Sequence, residues 1–105
     1  MIEVLEKKNY RVVEKDFVNQ VDLLIKALEK KEPGDLIIVF PTLIPTFLKN
    51  LDRLISYQKK QNRLLVWVLH SETSNQIPAE WTCVPTLQEA IDYIQFEQMQ
   101  RDLGF

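Results

Sequence analysis

Two unbroken apolar runs constrain this chain more than any other feature. Residues 36–40 read Leu-Ile-Ile-Val-Phe, and residues 63–69 read Arg-Leu-Leu-Val-Trp-Val-Leu. A strand with one wet face alternates polar and apolar residues, so runs like these suit strands buried on both faces of a sheet. Between them, Phe47, Leu51, Leu54 and Ile55 recur at helical spacing, with Lys49, Asp52, Arg53, Lys59 and Lys60 on the other side. An apolar strand, a helix and a second apolar strand make a parallel crossover unit.

The flanking segments extend this unit. Ile2 and Val4, then Tyr10 and Val12, alternate around a polar Glu6-Lys7-Lys8-Asn9, which predicts an antiparallel hairpin. Phe17, Val21, Leu24, Ile25 and Leu28 form a helical stripe, with Asp16 as its N-cap and Pro33-Gly34 as its stop. Residues 70–80 are polar and read as a loop, and residues 81–84 as a short strand closed by Pro85. Thr86 and Glu89 have capping-box spacing, with each side chain expected on the other's backbone amide. Leu87, Ala90, Ile91 and Ile94 then give the buried face of a last helix, and the polar remainder, residues 95–102, continues it. The expected fold class is α/β in one domain, residues 1–105. It has a mixed, mostly parallel sheet, an N-terminal antiparallel hairpin and three helices.

Composition excludes several classes of function. With 46% hydrophobic residues the chain can build a core, and a formal charge of −2 with mixed signs gives no basic stripe for nucleic acid. No apolar run is long enough to span a bilayer, and residues 1–10 lack the apolar stretch of a secretory leader. One cysteine, Cys83, permits no intrachain disulfide and no thiolate zinc site. The reading is a cytoplasmic protein without membrane or nucleic-acid contact.

Candidate chemistry is sparse. His70 is the only histidine and has no nucleophile or orienting partner at a suggestive spacing. Cys83 sits in an apolar strand with no basic neighbour to activate it. Pro33-Gly34-Asp35 lacks the Lys-Ser/Thr of a phosphate loop and reads as a turn. Lys59, Lys60 and Arg63 complement a helix C-terminus. Trp67 and Trp81 read as core or edge packing. Thr42 and Thr46 stand out by position, at the C-terminal end of a central strand and the start of a helix. Open α/β sheets bind ligands at such ends, and helix amides attract anions there. Capping by Thr46, with Pro45 shaping the loop, is the plainer role. No catalytic residue, metal ligand or cofactor is assigned.

The order of elements, ending in Val84-Pro85-Thr86-Leu87-Gln88-Glu89-Ala90, resembles the STAS family of anti-sigma-factor antagonists and sulfate-transporter domains. That family's last strand and helix read apolar, Pro, Ser or Thr, Leu, any residue, Glu, Ala. With Arg101-Asp102-Leu103-Gly104-Phe105 following, the chain is similar to small STAS-like proteins of Bacteroidetes that also carry the name ribonuclease Z. A two-metal phosphodiesterase needs several His and Asp ligands, which one histidine cannot supply.

The resemblance implies a non-catalytic protein-interaction and regulatory module with an unidentified protein partner, and admits homodimerisation. It places the phospho-acceptor or anion site at Thr46 and Thr42, and the partner surface at Pro41, Ile44, Pro45, Phe47 and Leu48. Where the family has Asp-Ser-Ser-Gly this chain reads Leu43-Ile44-Pro45-Thr46-Phe47-Leu48, with Thr46 nearest the phosphorylated serine and the aspartate, first serine and glycine missing, so the usual phosphoserine motif is missing. The segment before the last strand is also too short for the family's extra helix. A related SEC14-like branch implies the alternative, a pocket for an apolar or anionic small ligand lined by Phe40, Ile44, Phe47 and Leu51.

Overall fold

The computed structural model describes residues 4–14, 21–39, 48–69 and 81–104, with the backbone alone for residues 48–50. Five strands and three helices follow in the order β1 (Leu5–Glu6), β2 (Arg11–Val13), α1 (Val21–Glu29), β3 (Leu36–Val39), α2 (Leu48–Lys60), β4 (Leu65–Val68), β5 (Thr82–Val84) and α3 (Leu87–Asp102). The strands form one sheet in sequential order, with β1 antiparallel to β2 and every later pair parallel. The expected α/β class, hairpin, mostly parallel sheet and three helices are all present.

Register explains how the apolar runs divide between two cores. Val13, Ile38, Trp67 and Cys83 are partners across four strands and line one face. There Val13, Ile38 and Trp67 pack with Leu24 and Leu28 of α1 and Leu51 and Leu54 of α2, while Cys83 lies at the margin. Val12, Ile37 and Val66 point the other way, and α3 covers them with Ala90 and Ile94. Ile37, Ile38, Leu54, Val66 and Ile94 are completely buried. Each contributes about 1.5–3 kcal/mol of hydrophobic stabilisation. β3 and β4 are therefore apolar throughout because helices cover both of their faces.

Local signals set the helix ends. Asn62 takes φ 56°, in the left-handed region, where Arg63 N donates to Gln58 O at 3.0 Å and Asn62 N to Lys59 O at 3.0 Å. That pair of bonds is a Schellman stop for α2. At α3, Thr86 Oγ1 accepts from Glu89 N at 3.1 Å. The box is closed differently from the expected reciprocal form, because Thr86 Oγ1 donates to the Glu89 carboxylate at 3.3 Å. The expected cap of α1, Asp16, lies outside the described residues.

Candidate functional site

A backbone amide, a glutamine and an arginine converge on one buried carboxylate. Asp35 precedes β3 and is 2% exposed. Its Oδ1 accepts from Leu64 N at 2.8 Å, and its Oδ2 accepts from Gln98 Nε2 at 2.7 Å and Arg101 Nη2 at 2.8 Å. Gln98 Nε2 also donates to Asn9 O at 2.7 Å, in the hairpin turn. Beside it, buried Gln58 donates to the carbonyls of Gly34 at 2.9 Å and Leu64 at 2.8 Å. Both Asp35 oxygens are occupied, so this carboxylate works as a clamp. It fixes the C-terminal half of α3 to the start of β3, to the hairpin and to the approach to β4. A buried charge is tolerated only with such pairing.

The clamp fixes what α3 turns outward. At 100° per residue, Phe96, Met99 and Leu103 fall within one narrow stripe opposite Ala90 and Ile94. They are 55%, 61% and 67% exposed. Single exposed apolar residues are ordinary, as with Leu23 on α1. Three on adjacent turns of one helix form a contiguous apolar stripe. The sequence reading missed this stripe because residues 95–102 are rich in Gln and charge and read as uniformly polar. Their 3- and 4-residue apolar spacing was the available signal.

A second surface lies between the end of α2 and the sheet edge. Trp81 stacks on buried Trp67 with ring centroids 4.6 Å apart and planes 18° from parallel. With Ile55 and Leu65 they form an apolar groove of about 180 Å³, and Lys59 and Arg63 stand at its rim. Cys83 is half-buried, and burial pushes its thiol up from the usual value, which leaves little thiolate near neutrality.

The residues singled out from sequence fare unevenly. Pro41, Thr42, Ile44, Pro45, Thr46 and Phe47 lie outside the described residues, as do Phe40 and His70. Leu48 opens α2. Leu51, expected to line a ligand pocket, is completely buried in the core beneath α2. α1 and α2 pack on the same face, and the described strands lie side by side in sequential order, with no reversal of that order. The crevice that forms where strand order reverses therefore has no counterpart among them. Among the described residues no cluster of three His, Cys, Asp or Glu could hold a metal, and no helix is long and apolar enough to cross a membrane.

Comparison with known proteins adds no identity: no family model, curated protein or solved structure matches this chain.

Proposed function

We propose that this chain is a non-catalytic interaction module of STAS-like type, acting in the cytoplasm through the outward face of α3. The observation that carries this reading is the stripe of Phe96, Met99 and Leu103 on a helix clamped from behind by Asp35. Apolar contact surface is most effective on a rigid element, because little conformational entropy is lost on docking. Met and Phe are enriched at the centres of protein interfaces, where charged residues are depleted.

Photo-crosslinking tests the reading. A photoreactive residue at position 99 gives discrete protein adducts, and one at exposed Lys26 of α1 does not. Matching patterns from both positions contradict the choice of surface. The segment of residues 41–48, to which the STAS resemblance assigns the partner, is a competing surface. A crosslinker at position 46 measures it in the same experiment.

The groove beside Trp81 favours a second reading, binding of a small amphipathic anion. An aromatic floor with Lys59 and Arg63 at the rim suits a planar aromatic carboxylate. Titration with aromatic carboxylates quenches Trp81 fluorescence on this reading, and a Trp81→Leu variant loses the response. Unchanged fluorescence across the series removes it.

A further inference from the structure

We infer that the occupant of the α3 stripe is the α3 stripe of a second copy, packed antiparallel about a two-fold axis beside Met99. The inference rests on the interaction reading and names its partner.

A two-fold contact must be complementary to itself, so any charge near the axis meets its own copy. Around the axis the outward positions are neutral: Phe96, Met99 and Leu103 form the stripe, with Gln95 and Gln100 along its margins. The nearby charges lie off the stripe: Glu97 is half-buried, Arg101 is held by Asp35, and exposed Asp102 borders the surface around Gln98 and Arg101. Gln100, beside the axis, can both donate and accept, so it can pair with its own copy.

Charge also selects the direction of pairing. A parallel pair sets Asp92 beside Asp92 and Glu89 beside Glu89, both exposed acids on the outward side. The antiparallel pair separates the two Asp92 side chains by roughly 20 Å along the axis, at about 1.5 Å rise per residue, beyond the range of unscreened repulsion. It also sets Phe96 against the partner's Leu103 at both ends, with the two Met99 side chains meeting at the centre. Methionine suits that place because its thioether adapts to its own image.

The area is consistent with a modest dimer. Three side chains, each more than half exposed, present on the order of 300 Å² of apolar surface per copy. With the flanking polar rim from both copies, the contact reaches roughly 1,000 Å², the lower limit for a specific interface. A contact at that limit belongs with weak, transient interfaces, so pairing is sought between about 1 µM and 1 mM.

Sedimentation of the full chain across that concentration range tests the inference. Wild type passes from monomer to dimer. Met99→Glu weakens pairing at least tenfold while helical circular dichroism is unchanged, and Leu23→Glu on α1 leaves pairing intact. Met99→Cys, in a Cys83→Ala background, forms a disulfide-linked dimer under mild oxidation, because two residues 99 beside the axis approach within bridging distance. Leu23→Cys does not. A wild-type monomer at every concentration overturns self-pairing, as does a dimer indifferent to Met99→Glu. If position 99 then still crosslinks to another protein, the interaction reading survives with a different partner. Absence of any adduct removes both.

Discussion

Asn62 is the residue at which backbone conformation and stability are most directly connected. Its φ of 56° closes α2 through the Schellman bonds. Asparagine tolerates this region better than other side chains, but glycine has no Cβ penalty there. Asn62→Gly therefore raises stability by about 0.5 kcal/mol, and Asn62→Val lowers it by about 1 kcal/mol, as measured by urea denaturation. Glu6 gives a pH dependence at the same scale. Burial pushes its carboxyl up, but hydrogen bonds and charge from Arg11 at 2.7 Å and Lys31 at 3.1 Å outweigh this and hold it below 4.5. A depressed carboxylate contributes stability above its unfolded pKa and loses it as pH falls through the folded one. Below about pH 4.5 the difference between wild type and Glu6→Gln shrinks, and near neutrality wild type is slightly the more stable. The half-exposed side chain keeps the effect small.

Among the elements, the strands were easier to read from sequence than the long-range contacts that join them to helices. The apolar runs announced β3 and β4, because a strand covered on both faces has no alternation to misread. Thr86 and Glu89 announced the start of α3, since capping is a local interaction. Asp35 gave no such signal: its partners lie 29, 63 and 66 residues away, at Leu64, Gln98 and Arg101. In the sequence it is one acid in a turn. In the fold it decides how the second half of α3 is held. Asp35→Ala strands the Leu64 amide and removes the acceptor shared by Gln98 and Arg101, at a cost of about 2–3 kcal/mol. Amide exchange should then accelerate in residues 98–102 more than in residues 87–94, where Ala90 and Ile94 remain packed. Uniform acceleration along α3 would show that the clamp is not what holds its far end.

At the scale of the whole molecule, two of the described helices cover one face of the sheet and one described helix covers the other. That asymmetry explains why α3 is apolar on two opposite sides. Its inner side completes a core, and its outer side faces away from the domain. Stability and contact consequently separate by residue: substitutions at Ala90 or Ile94 act on folding, and polar substitutions at Phe96, Met99 or Leu103 change stability by less than about 0.5 kcal/mol while weakening association. The sheet face was legible from periodicity because burial selects for it directly. The outward stripe was obscured because binary patterning assumes one apolar side per helix, and a helix used on both sides breaks that assumption.

The most direct measurement of this account is a dilution series of amide nitrogen–proton spectra on the full chain. The account predicts concentration-dependent shifts concentrated on the outward positions between residues 92 and 103, absent in Met99→Glu. Shifts centred instead on residues 41–48, on the groove beside Trp81, or nowhere in the chain would contradict it.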